Sequence, residues 1–178
     1  MDGPSDHDLM ARTAQGDGRA FQTLARRHAG RALGVARRIL GNEALAEEIV
    51  QDALLRVWTN APRWRPQAAF RTWLDRIVVN LCLNAKRRGL DLPLAAAGDV
   101  ADPTPDAGAE LEVRERDLRL ASAVDALPAR QRAAIVLTYR EGLSNAEVAA
   151  VLDTSVSGVE MLLVRAKRTL RAALGEQS

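Results

Sequence analysis

The stretch VSGVEMLLVRAKRTLRAAL sets Arg165, Lys167, Arg168 and Arg171 within about two turns of a helical repeat. Such cations suit phosphate oxygens, and arginine also reaches the O6 and N7 edge of guanine. A second stretch, FRTWLDRIVVNLCLNAKRR, places Arg76, Asn80 and Asn84 at successive four-residue steps, with Arg87 following. Residues at that spacing share one helix face. Asparagine can read base edges and arginine can hold phosphate. The loop before it, NAPRWRPQAA, supplies Asn60, Arg63 and Arg65. Those side chains can hold an extruded base against a cationic wall. This is the chemistry of gripping and reading a polyanion.

Residues for bond-breaking chemistry are missing. Cys82 is the one cysteine, so no internal disulfide and no zinc cluster is expected. His7 and His28 lack a nearby arrangement of carboxylate or thiol that would suggest a triad or a metal site, and are expected to be surface or half-buried residues. There is no glycine-rich phosphate loop. An enzyme is not expected, and neither is a cofactor. The opening MDGPSDHDLM is polar and acidic, unlike a secretory leader, and no apolar run reaches membrane-spanning length. A cytoplasmic protein without membrane insertion is the expectation.

Charge is segregated although the net value is only +2. The segments from Arg12 to Arg38 and from Arg63 to Arg88 are basic, each with one acid, Asp17 and Asp75. From Asp91 to Asp117 the sign reverses. That pattern suits a nucleic-acid-binding surface beside an acidic tether. Solvated helix faces would account for the charge alone, and a basic helix packed on a partner would account for the last segment alone.

The elements that must position these groups are helical. Gly16 and Gly18 flank Asp17 and mark a break. A helix from about Arg19 to Leu40 ends at Gly41-Asn42, a pair suited to a left-handed C-cap. The helix EALAEEIVQDALLRVW has Leu45, Ile49, Ala53 and Val57 at helical spacing, and Glu48, Gln51, Asp52 and Leu55 on its outer face. Pro62 and Pro66 define a loop. The next helix has an apolar stripe of Phe70, Trp73, Leu74, Ile77, Val78 and Leu81. Trp58, Trp64 and Trp73 are read as packing residues rather than stacking platforms. Pro93, Pro103 and Pro105 then interrupt an acidic segment without period, which reads as a flexible linker that lets two units move separately. The fold class is all-α: two small helical domains, 5–90 and 113–175, joined by an acidic linker, 91–112.

The second domain reads as a helix-turn-helix. Pro128 and Gly142 bracket one helix. Ser144 and Glu147 form a capping-box pattern for the short helix NAEVAAVL. Ser155 caps the last helix. Ala149 permits close approach, while Val148, Leu152, Val159 and Leu163 can fill the shared core. Asp153 occupies the turn, where a residue tolerant of positive φ is required.

In that order and spacing the segments resemble the extracytoplasmic-function class of bacterial sigma factors, the minimal promoter-recognition subunits of RNA polymerase. DHDLMARTAQGDGRAFQTLARRH is similar to that family's opening region, AEEIVQDALLRVW to its polymerase-binding helix, FRTWLDRIVVNLCLNAKRR to its −10 segment, and ALPARQRAAIVLTYREGLSNAEVAAVLDTSVSGVEMLLVRAKRTL to its −35 module. The resemblance implies that Glu48, Gln51, Asp52 and Leu55 meet the clamp helices of the largest polymerase subunit, with the flap as a further contact. It places −10 reading on Asn60, Arg63, Arg65, Arg76, Asn80, Asn84 and Arg87. It places −35 reading on Ser157, Glu160, Met161, Val164, Arg165 and Arg168. Promoter DNA, core polymerase and an anti-sigma factor are the implied partners. The chain departs from the family pattern at Asp153, usually Gly, at Glu160-Met161-Leu162, usually basic or small polar, and at Asn84, usually an acid. A conventional helix-turn-helix regulator, which would read palindromic sites as a dimer, leaves the first domain without a role. A sigma mimic normally carries a receiver domain, which this chain lacks.

Overall fold

The computed structural model of the chain describes residues 3–66, 68–89 and 118–175. The acidic linker expected at 91–112 lies outside these residues. Among the described residues all regular structure is helical.

Helix α1, Asp6–Ala14, opens with a capping box: Ser5 Oγ accepts from the Asp8 N–H, and the Asp8 carboxylate accepts from the Ser5 N–H. Helix α2, Gly18–Leu40, starts where Asp17 accepts from the N–H groups of Arg19 and Ala20. It ends at Gly41, whose φ of 68° is the left-handed conformation glycine adopts without penalty. Asn42 caps α3, Glu43–Asn60, through the Leu45 N–H. A single 3-10 turn, Ala61–Arg63, leads toward α4, Phe70–Gly89. The buried residues of α2, among them Leu24, Ala32, Val35 and Ile39, recur at three- and four-residue intervals, as an amphipathic helix requires. They pack against α3 and α4.

The second half begins with the helical residues 118–125, α5, followed by α6, Ala129–Ile135. The sequence suggested one unbroken helix from Pro128 toward Gly142. Instead α6 widens into a π-helical turn, Val136–Arg140, closed by the Glu141 N–H donating to the Val136 carbonyl. Leu143 is buried after this turn and Glu141 is half-buried. Helix α7, Asn145–Leu152, and helix α8, Val156–Ala173, form the helix-turn-helix. Ser144 and Glu147 make the expected capping box, and Ser155 accepts from the Gly158 N–H. Asp153 sits at φ 51°, the one non-glycine residue with positive φ among those described. Val148, Ala149, Leu152, Val159 and Leu163 are buried together, as their spacing implied.

The two halves were expected to move separately, yet they pack on one another. Helix α4 lies against α7, α2 lies against α6, and the buried apolar residues of both halves form one continuous core. Arg132, itself buried, donates to the Ile39 carbonyl at the C-terminal end of α2.

Candidate nucleic-acid interface

Helix α4 presents the face its sequence predicted. Phe70, Leu74, Val78 and Leu81 are buried, Trp73 and Ile77 are partly buried, and Arg76, Asn80, Asn84 and Arg87 are exposed. The 3-10 turn after α3 folds back toward this face because Pro62 fixes φ where the helix must stop. Between turn and helix lies a cleft of about 620 Å³, whose lining includes Arg56, Asn60, Arg63, Arg65, Arg76 and Asn80. A concave cationic wall with two amides fits a nucleic-acid strand: guanidinium for phosphate, amide for base edges. The cleft gathers Asn60, Arg63, Arg65, Arg76 and Asn80. Asn84 and Arg87 lie beyond it along α4, where the Arg87 guanidinium donates to Asn84 Oδ1 at 3.1 Å.

Trp64 and Trp73 do both jobs that the sequence set against each other. They are partly buried against the core, their rings 6.3 Å apart, and they also line the cleft. Trp58 corrects the packing expectation. It is 36% exposed and touches Phe21 edge-on, because α3 turns its neighbour Val57 into the core and carries Trp58 round toward solvent. His28 is also corrected. It is buried, with Nε2 2.7 Å from the Asp6 carboxylate, so it ties α1 to α2 rather than sitting half-exposed without an acid. His7 is exposed and stacks at a tilt on Trp64. Cys82 is buried, and burial pushes its thiol up to about 12, which leaves it unreactive.

Helix α8 exposes Ser157, Glu160, Met161, Val164, Arg165 and Arg168 along one side. Met161 is 52% and Val164 61% exposed, so two apolar side chains stand beside Arg165 and Arg168 on that face. On α3, Glu48 and Gln51 are exposed, Leu55 is 63% exposed, and Asp52 accepts two bonds from Arg56 at 3.1 Å.

The Sigma-70 region 2 profile matches residues 24–89, and the Sigma-70 region 4 profile matches residues 117–170. The ECF RNA polymerase sigma factor SigM of Mycobacterium tuberculosis is 36% identical over 171 residues, covering 96% of this chain and 85% of its own. The chain belongs to the extracytoplasmic-function sigma factor family. The RNA polymerase sigma factor CnrH of Cupriavidus metallidurans is 36% identical to this sigma factor, covering 98% of each chain. A solved structure of CnrH in complex with the cytosolic domain of CnrY has a TM-score of 0.69 at 34% identity, covering 98% of this chain and 100% of that one. The sigma factor RpoE of Bartonella quintana, solved with the anti-sigma factor NepR, shares the fold at a TM-score of 0.67 and 20% identity. A sigma factor is a transcription initiation factor, not an enzyme. No helix among the described residues is long and apolar enough to cross a membrane.

Two polar cleft residues escaped the sequence reading. Thr72 stands one turn before Arg76 and two before Asn80, so the four-residue step that exposed those residues already contained it. Arg56 stands one turn before Asn60, and Asn60 donates to the Arg56 carbonyl at 2.8 Å. A third feature had no local signal. Asp75, fully buried, receives both terminal nitrogens of Arg31 at 2.7 and 3.0 Å. Burial pushes the Asp75 carboxyl up. Burial also opposes charge on Arg31, but the hydrogen bonds it donates to the Asp75 and Glu141 carboxylates, with their negative charge, outweigh it and hold that guanidinium charged.

Proposed function

We propose that residues 5–90 of this sigma factor hold core polymerase and the −10 element, that residues 113–175 read the −35 element, and that 91–112 tether the two. The non-template strand runs in the cleft between the Pro62 turn and α4. Asn60 and Asn80 meet bases there and Arg63, Arg65 and Arg76 meet phosphates, while Asn84 and Arg87 continue the base and phosphate contacts beyond the cleft along α4. Glu48, Gln51, Asp52 and Leu55 dock on the clamp helices, and the second domain reaches the flap. On α8, Arg165 and Arg168 grip the upstream duplex. Glu160 accepts from a cytosine amino group, Met161 and Val164 cover thymine methyls, and Ser157 contacts the backbone. The protein acts in the cytoplasm. CnrH was solved bound to the cytosolic domain of CnrY, and a protein partner of the anti-sigma kind is proposed for this chain too.

The observation that carries the −10 assignment is the cleft itself: four arginines and two asparagines from different elements converge on one concavity. Permanganate footprinting with core polymerase, on duplex and on pre-opened promoter, tests it. Asn80→Ala should reduce open-complex formation by the loss of a base contact, about 1–3 kcal/mol. Arg165→Ala should weaken binding to the closed duplex and leave a pre-opened template lacking the upstream element nearly unaffected. Normal melting by Asn80→Ala would remove the assignment of α4.

A further inference from the structure

The first turn of α1 supports the cleft without lining it. Asp6 and His7 are neighbours there. Asp6 accepts from Arg27 at 2.6 Å and lies 2.7 Å from His28 Nε2, both on α2. Leu9 and Met10 bury the following turn, and the Ser5 capping box fixes the helix start. So pinned, α1 lies against the 3-10 turn Ala61–Arg63. From that position His7 meets the Trp64 ring, 5.7 Å between centroids.

Trp64 needs such support. Its N–H donates to the Ala61 carbonyl at 3.2 Å, but the described residues between it and Phe70 form no helix. Pro62 and Pro66 have no N–H to offer. Ring contacts therefore decide where the indole stands. Trp73 holds it from α4 at 6.3 Å, and His7 holds it from α1. The run continues from Trp73 to Phe70 at 6.0 Å and from Phe70 to His28 at 5.0 Å. His28 returns to Asp6, so five rings and one carboxylate lead from α1 to the cleft wall and back.

We infer that His7 is a positioning residue for promoter opening: from the first turn of α1 it sets the Trp64 indole as the wall on which an extruded −10 base stacks.

His7 is exposed, so its ring adds little to the apolar core, whereas the residue it touches lines the cleft. Its effect therefore falls on the cleft. A preset indole spares the strand the cost of ordering the loop on binding. The gain is bounded by one aromatic pair, about two- to ten-fold in affinity. Stacking on an aromatic face tolerates any base, so His7 strengthens the grip on an opened strand without choosing its sequence. The inference rests on the proposed −10 cleft, in which Asn80 does the choosing.

The test uses holoenzyme assembled from core polymerase and the full-length chain. Its probe is a pool of forked DNA templates with a randomised, unpaired −10 non-template strand. His7→Ala should bind core polymerase as wild type does, bind the pool about two- to ten-fold more weakly, and select the same bases. His7→Phe, which keeps a ring, should restore the affinity. In the chain alone, acrylamide should quench tryptophan fluorescence more strongly in His7→Ala than in wild type or His7→Phe. Alanine at an exposed helix position keeps the fold. A His7→Ala that loses core affinity to the same degree, or a His7→Phe as weak as His7→Ala, overturns the positioning role. Asn80→Ala separates the two readings. If it changes the selected bases while His7→Ala binds like wild type, only the role of His7 falls. If Asn80→Ala binds and selects like wild type, the cleft assignment falls and takes this inference with it.

Discussion

Asp75 is wholly buried in a helix whose exposed face is cationic. A lone buried carboxylate would be too costly to keep, and Arg31, from α2, supplies a two-pronged partner. Removing it should strand a half-buried guanidinium. Asp75→Ala is expected to destabilise the first half by about 3 kcal/mol, the low end for broken buried pairs because Arg31 keeps some contact with water. Asp75→Asn, which keeps an acceptor oxygen, should cost less, and urea midpoints will rank the two. The capping carboxylates behave differently. Hydrogen bonds from Ser144 hold Glu147 below its ordinary 4.5, and those from Ser5 hold Asp8 below 3.8. A lowered folded pKa means stability fully present above the ordinary value and lost as pH falls through the folded one. The urea midpoint should therefore stay flat near neutrality and fall below about pH 4.5, and Glu147→Gln should flatten part of that slope. At this scale the sequence revealed what repeats locally. Asn80 and Arg76 announced themselves by a four-residue step, and Ser144 and Glu147 by a three-residue one. Asp75 did not, because its partner is 44 residues away and nothing near it marks burial.

Element boundaries were legible where side chains close them. Gly41, Ser144 and Ser155 satisfy orphaned backbone groups at helix ends, and each does so in the structure. The π-helical turn at Val136–Arg140 escaped because it has no side-chain signature. Its register change serves packing: Leu143 goes into the core and Glu141 turns toward the first half. The turn of the helix-turn-helix shows how far a departure from glycine can be tolerated. Asp153 holds φ at 51°, with its N–H bonded to the Ala149 carbonyl. An aspartate accepts that region; a β-branched residue does not. Asp153→Val should destabilise the second half by about 1–2 kcal/mol, lowering its thermal midpoint, whereas Asp153→Gly should leave it equal or slightly raised. Equal losses in both variants would mean that the Arg76 ion pair, not the turn conformation, is what Asp153 contributes.

At the scale of the whole molecule, the two-part architecture was legible from charge and proline, but the contact between the parts was not. Composition can show that a tether has no period of its own. It cannot show that Glu141 reaches Arg31 across 110 positions, or that Arg132 caps α2 through the Ile39 carbonyl. That contact carries ion pairs beside its apolar core, nucleic-acid binding uses ion pairs too, and salt acts on the two sets in opposite directions for DNA affinity. Arg76 and Asp153 are well exposed, so added salt screens their pairing and loosens the closed form. The same salt weakens phosphate contacts, steadily, through loss of counterion release. At low ionic strength the first effect limits binding because few molecules are open; at high ionic strength the second does. Affinity of the wild-type chain for a short single-stranded DNA should thus rise and then fall as salt increases. A Glu141→Gln, Asp153→Gly double variant, which lacks both sets of ion pairs, should show only the fall. Fluorescence anisotropy across a salt series on both chains measures this, and parallel monotonic curves would show that closure exerts no control over the cleft.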